Sequence, residues 1–244
     1  MASRIEAALE AAIKECGQKP DDTAAQAQKK NYNERVSAAV ARVLAEELRQ
    51  RGMAEALPSG SGATRTSGAE RRLAGGIGAK KVDVTWATEE SGLILAISVK
   101  TILFKDGKSG NYQKNLTNRR ADMLNEAVTL HRRFPYAVLA GFLMLDSGAE
   151  HDETARRRST FVNVGPRFRL FTGRVDPAGR DEQYEKFYAV LVDLNIVEPS
   201  VRVFEVNDLE TEVSLDEMFD DLVTLVGERN FDLYEGVAGQ VVKL

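Results

Sequence analysis

The sequence is poor in the residues that build covalent or soft-ligand sites. Its single cysteine, Cys16, allows no intramolecular disulfide and no cysteine-based zinc site. Two histidines, His131 and His151, leave little for imidazole ligation, so a metal is expected to be oxygen-ligated: magnesium, with manganese as the substitute. Long hydrophobic runs are missing too. The longest, Ala137 to Leu145, falls far below the ~20 residues that span a bilayer. The first residues lack the basic-then-apolar pattern of a secretory leader, so the expected location is cytoplasmic. Positive charge is not in excess either. With 33 Lys and Arg against 37 Asp and Glu the net charge is -4, and no global field advertises nucleic acid. An enzyme acting on nucleic acid would rely on local basic patches and on metal.

What is present is an ordinary globular composition, 43% hydrophobic and 29% charged, over 244 residues, enough for a real core. The expected organisation is an N-terminal helical extension over 1–30 and one large domain over 31–244. Ile5, Ala8, Leu9, Ala12 and Ile13 recur at helical spacing over 2–16, and Lys19-Pro20-Asp21-Asp22 breaks that helix. A second helix is expected over about 32–51, with Val36, Val40, Val43, Leu44 and Leu48 on one face and Gly52 at its end. Pro58-Ser59-Gly60-Ser61-Gly62 opens a long polar loop that continues toward Gly75-Gly76.

The centre reads as strands 81–87 and 93–103, a helix over about 115–133 and a strand 136–145. Lys105-Asp106-Gly107-Lys108 signals a turn, with a short return segment pairing near Asn111-Tyr112. Further strands are expected at 167–172 and 201–206, and further helices at about 181–192 and 214–228. This order indicates an α/β fold, a central mixed sheet flanked by helices.

Residues 82 to 125 carry the chemistry. Leu93 to Ile97 is apolar on both faces, as in a doubly covered central strand, and alternation puts Ser98 and Lys100 on the same side. A lysine at the end of such a strand costs desolvation energy unless a partner or a function compensates. Asp83 on the preceding strand is the natural partner. A carboxylate that holds magnesium, beside a cation that stabilises developing charge, is the minimal equipment for hydrolysing a phosphodiester. A second acid is needed nearby.

Asp83, the following hairpin and Ser98-Val99-Lys100 resemble the PD-(D/E)xK nuclease superfamily. That resemblance implies a restriction-endonuclease-like core of helix, three strands, helix and strand, with the metal site on the second and third strands. Ser98 stands where the superfamily usually has an acid, and Val82 stands where it usually has proline. One branch, the type II restriction endonucleases that cut sites with a CCGG core, is similar in having Ser-x-Lys with the acid moved to the next helix in Asn-x-Arg-x-Glu-x-Leu-Asn. Here that helix reads Asn118-Arg119-Arg120-Ala121-Asp122-Met123-Leu124-Asn125. The resemblance makes Asp83, Ser98, Lys100 and Asp122 the catalytic group, with Glu126 as the substitute for Asp122. It makes Asp83 and Asp122 metal ligands, and Glu46 or Glu70 the source of an additional one.

Each of these residues has a blander explanation. Asp83 and Lys100 can form a strand-end ion pair. Asp122 falls roughly opposite the apolar arc of its helix and can be a solvated acid paired with Arg119. Asn115, Asn118 and Arg119 suit phosphate contacts, and Arg156-Arg157-Arg158 with Arg167 and Arg169, interleaved with Phe161 and Phe168, suit a phosphate-tracking loop, though charge runs are commonly solvated surface. His131 is expected as an ordinary helix-end residue. The expected function is a magnesium-dependent DNA endonuclease, a restriction or defence enzyme acting on double-stranded DNA as a homodimer or higher homo-oligomer. The alternatives are a catalytically silent nuclease-like module that binds DNA or protein, and an effector subunit of a larger defence complex.

Overall fold

The computed structural model describes residues 3–59, 71–74, 76, 78–155 and 157–244. Two N-terminal helices come first, α1 (Arg4–Glu15) and α2 (Gln26–Gln50). Ser3 caps α1 in a reciprocal capping box with Glu6, and Ile5, Leu9 and Ile13 bury one stripe against the rest of the protein. α2 crosses the expected division at residue 30, and the α1 stripe belongs to the same core as the sheet.

The short strands β1 (Arg71–Ala74) and β2 (Ala79–Val82) form an antiparallel hairpin of their own. The main sheet has six strands in the order β3 (Val84–Thr88), β4 (Gly92–Ile102), β5 (Val138–Asp146), β6 (Lys186–Asp193), β7 (Ser200–Glu205) and β8 (Asp208–Val213). β3 runs antiparallel to β4, whereas β4, β5 and β6 are mutually parallel neighbours. β7 and β8 complete the sheet as an antiparallel meander. Parallel strands need long crossovers. α3 (Leu116–His131) supplies the one between β4 and β5, and α4 (Thr160–Phe168) lies in the one between β5 and β6. The fold is therefore α/β, with a mixed central sheet covered by helices on both faces.

The two faces have separate cores. Leu95, Ile97 and Val99 of β4 pack with α1, α2 and α5 (Leu215–Arg229). Ala96 and Ile102 pack with Leu116, Met123 and Ala127 of α3 and with Phe161, Val164 and Phe168 of α4. Successive side chains of β4 thus enter opposite layers, as its run of apolar residues requires. The chain ends in a small hairpin of β9 (Tyr234–Val237) and β10 (Gln240–Lys243).

Three expected elements differ. Residues 167–172 are the end of α4 and a 3-10 turn, not a strand. Phe161, Val164 and Phe168 bury at helical spacing, so the alternation of Arg167 to Phe171 was misleading. Residues 181–192 contain strand β6, not a helix. Tyr184, Phe187, Tyr188 and Leu191 happen to recur at helical intervals, but all of Phe187 to Val192 is buried, as in a strand covered on both faces. The segment near Asn111-Tyr112 forms no strand. Tyr112 is tied down by its hydroxyl, which donates to Asp146 Oδ1 at 2.7 Å, and by its backbone N–H, which donates to Asp152.

Candidate active site

Near its end β4 carries Ser98, Val99 and Lys100, and the even-numbered side chains point toward α3. Asp83 sits at the bend between β2 and β3, just outside the register that pairs Val84 with Ile97. From there its Oδ2 accepts the Val99 backbone N–H at 2.7 Å and meets Lys100 Nζ at 3.2 Å. The same ammonium lies 3.3 Å from Glu126 Oε2 on α3. Asp83, Lys100 and Glu126 thus form one cluster, built from a bend, a strand and a helix.

α3 comes this close to the sheet because the residues beneath it are small. Ser98 of β4 pairs in register with Gly141 of β5. A Cβ on Gly141 would stand 2.6 Å from the Phe187 ring and 3.1 Å from the Met123 methyl. Glycine is needed there by close packing, and α3 rests directly on the strands that carry the site.

The cluster holds two carboxylates and one ammonium, and it is nearly buried. Lys100 and Asp83 side chains are each 17% exposed, and Glu126 is 6% exposed. Burial alone would lower the Lys100 pKa, but Glu126 and Asp83 outweigh it and hold the ammonium above its ordinary value. For Glu126 burial dominates and raises the pKa, with Lys100 opposing and Asp83 adding to the rise. Two buried atoms beside the cluster, Glu126 Oε1 and Ser98 Oγ, have no partner within hydrogen-bond distance, although the Ser98 hydroxyl is near enough to favour the charged Glu126 carboxylate. Such atoms cost free energy unless something else meets them.

Asp83 and Lys100 line a cleft of ≈ 680 Å³ at the carboxyl end of β4, with Glu126 outside its lining. One wall is the polar stripe of α2, including Lys29, Lys30, Asn33, Glu34, Ser37 and Arg42. The other is the segment after β4 and the start of α3, including Lys105, Lys114, Asn115 and Arg119. Counting Lys81, Asp83, Lys100 and Asp106 as well, eight cations line it against three acids among the described residues, so this lining is positive in an acidic chain.

The other expected site residues lie elsewhere. Asp122 is 55% exposed and faces Arg119 at 3.5 Å, one turn from Glu126. Glu46 is half exposed and held by Arg49 at 2.7 Å and by Gln50, apart from the residues lining the cleft. Arg119 lines the cleft, and its Nε donates to the Thr101 carbonyl at 3.4 Å. Asn118 is exposed outside the lining. Arg157 and Arg158 are exposed ahead of α4 and also outside it, whereas Phe161 and Phe168 are buried in ring contacts with Phe204 and Phe187. Glu70 and Arg156 lie outside the described residues.

Glu126 could have been ranked above Asp122 from the sequence, because it stands three residues after Met123 and four before Leu130, both buried. An acid at that spacing is drawn toward the core by the 3.6-residue period. The cleft cations of α2, by contrast, carry no motif. They occupy the side of an amphipathic helix that any solvated face would present.

Asp83 and Glu126, each within 3.3 Å of Lys100 Nζ, are the carboxylates that could hold magnesium, which commonly takes one or two protein carboxylates and completes its shell with water and substrate phosphate. No group of three or more His, Cys, Asp and Glu that could hold a metal occurs among the described residues. No described helix is long and apolar enough to cross a membrane. Compared with protein-family models, with curated proteins and with solved structures, the chain finds no match in any of the three.

Proposed function

We propose that the protein is a magnesium-dependent DNA endonuclease of the PD-(D/E)xK kind, with Asp83, Lys100 and Glu126 as its active site. The observation that carries this reading is the convergence of both carboxylates on the Lys100 ammonium at the carboxyl end of a parallel strand, where Asp83 and Lys100 line a positively charged cleft. The element order α2, β2, β3, β4, α3, β5 supports it, although β2 pairs with β1 and not with the main sheet.

Asp83 and Glu126 would hold the metal, and Glu126 is the helix acid in preference to Asp122 because it is the one that reaches Lys100. Magnesium bound there would polarise the scissile phosphate and lower the pKa of the attacking water. The Lys100 ammonium, kept charged by its two acids, stabilises negative charge developing on the phosphate oxygens. Asp83 is fixed by the Val99 N–H, so its orientation does not depend on the ion pair. Ser98 leaves room under α3 and offers a hydroxyl to the same space.

A restriction or defence enzyme acting on double-stranded DNA is the setting that suits this chemistry, and cutting both strands calls for two sites and hence at least a homodimer. The rival is a catalytically silent DNA- or protein-binding module, or an effector subunit of a larger complex. It draws on Ser98 in the usual acid position and on Lys100 already bridging both carboxylates. Purified protein incubated with plasmid DNA and magnesium, with Lys100→Ala alongside, separates the two. Discrete fragments or nicking from the wild type alone support the nuclease. No cleavage with magnesium or manganese rejects it in favour of the silent module.

A further inference from the structure

The walls of the cleft carry cations that no carboxylate pairs among the described residues. Lys29 and Arg42 on α2, and Lys105 opposite, line it without a carboxylate within ion-pair distance among the described residues. That is unusual company in a chain with more acid than base. Lys29 Nζ donates to the Asp22 carbonyl at 3.0 Å, and two of the three lie beside an aromatic ring. Lys29 Nζ lies 5.9 Å from the centre of the Phe104 ring, and Lys105 Nζ lies 5.8 Å from the centre of Tyr112. Lys19 stands over both rings, at 5.1 Å and 5.9 Å.

Phe104 and Tyr112 are the aromatic residues of the cleft lining among the described residues, and both are buried. Nucleobases stack on exposed ring faces, and that stacking is the usual grip on a base in a groove. Here the rings are covered and approached by ammonium groups instead, a favourable cation–π arrangement that also holds the lysines in place. What the described walls offer an incoming strand is charge, with the Asn33 and Asn115 amides and the Ser37 hydroxyl between. These groups suit phosphate oxygens, whose contacts position a strand without reading its sequence.

We propose that the cleft is a backbone-reading groove. Lys29 and Arg42 on one wall and Lys105 on the other each neutralise a phosphate of a polynucleotide, and the groove does not discriminate bases. The inference rests on the nuclease reading for what enters the cleft. Single strands and duplexes share the phosphodiester chemistry, and the test tells them apart.

The test is binding of labelled oligothymidylate and of two duplexes of scrambled base order, in chelator to prevent cleavage, over a range of salt. The two duplexes should bind with affinities within about 3-fold, less than one good base contact gives. The tighter of single strand and duplex identifies the natural form. Arg42→Ala, on an exposed helical position, should weaken binding to every probe and reduce the log–log salt slope by about 0.9 for a duplex or about 0.7 for a single strand. Arg42→Lys should restore it, and Lys105→Ala should match the loss from the other wall. An unchanged slope in both alanine variants overturns the proposal. So does a preference of about 100-fold between the scrambled duplexes, or no binding to any probe.

Cleavage with magnesium, run beside the titration, keeps the two readings separate. If Arg42→Ala and Lys105→Ala cleave like the wild type at limiting DNA, the groove is refuted and the nuclease stands. If binding follows the predicted salt law but no DNA is cut, the nuclease is refuted and the groove stands.

Discussion

Two of the buried ionic clusters among the described residues differ in a way that separates structure from chemistry. The first is Asp83, Lys100 and Glu126 at the cleft floor. The second lies in the core, where Glu185, Arg174 and His131 side chains are fully buried and Arg229 nearly so. In the core cluster both oxygens of Glu185 are engaged. Oε2 accepts the Leu139 N–H at 2.8 Å and lies 3.3 Å from His131 Nε2, while Oε1 meets Arg174 at 3.1 Å and Arg229 at 3.3 Å. Arg174 also donates to the Pro135 and Pro177 carbonyls, and Arg229 to the Arg174 carbonyl, so the cluster ties the loop before β6 to the ends of α3 and α5. One carboxylate serves two guanidinium groups there, out of reach of water.

The cleft floor reverses the charge balance. Two carboxylates share one ammonium there, and Asp83 and Lys100 line a cleft. An excess of negative charge favours a cation, whereas the core cluster, whose unpaired atoms are Arg174 Nε and an Arg229 Nη, favours none. Buried charge and unpaired atoms are common to both clusters; what separates them is the sign of the excess charge and the cleft that Asp83 and Lys100 line.

The largest expected effect of breaking this contrast is on stability in the core. Arg174→Ala leaves Glu185 short of a partner in a dry interior and should cost about 3–5 kcal/mol, read by denaturant unfolding. Lys100→Ala should cost less stability, because water from the cleft can reach Asp83, but it should reduce DNA cleavage by at least about 100-fold. Equal activity in Lys100→Ala and the wild type would erase the distinction between the clusters.

A smaller effect comes from pH. Burial raises the Glu126 pKa, so the folded chain holds that proton more tightly than the unfolded chain does. Its contribution is complete below the ordinary carboxylate range and is lost as pH rises through the raised folded value. Lys100, also raised, loses its contribution in the same direction, but only at alkaline pH. In chelator, wild-type stability should therefore fall as pH climbs above the carboxylate range, and Glu126→Gln should flatten that slope. A slope that survives the substitution would locate the titration elsewhere. The smallest effect belongs to the surface pair. Asp122→Asn removes an exposed contact with Arg119 and should change stability by less than about 0.5 kcal/mol.

Much of this was legible in the sequence. The doubly apolar β4, the opposed placement of Ser98 and Val99, and the α3 crossover follow from periodicity, and Asp83 meeting Lys100 follows from adjacent strands. What was hidden depends on three-dimensional packing. β6 imitates a helix because its aromatic residues fall at helical intervals, and α4 imitates a strand because charged and apolar residues alternate at its end. His131 sits at the end of its helix, but its environment is set by Glu185, fifty-four residues away, so nothing local announces that it is buried. The acid beside Lys100 was within reach only by weighing Glu126 against the apolar arc of its own helix. The cleft cations on α2 have no local signature at all.

The most direct test is magnesium-dependent cleavage of supercoiled plasmid by Glu126→Gln and Asp122→Asn side by side. The account predicts that Glu126→Gln is silent and that Asp122→Asn cuts at close to the wild-type rate. Undiminished cutting by Glu126→Gln, or loss confined to Asp122→Asn, would contradict it.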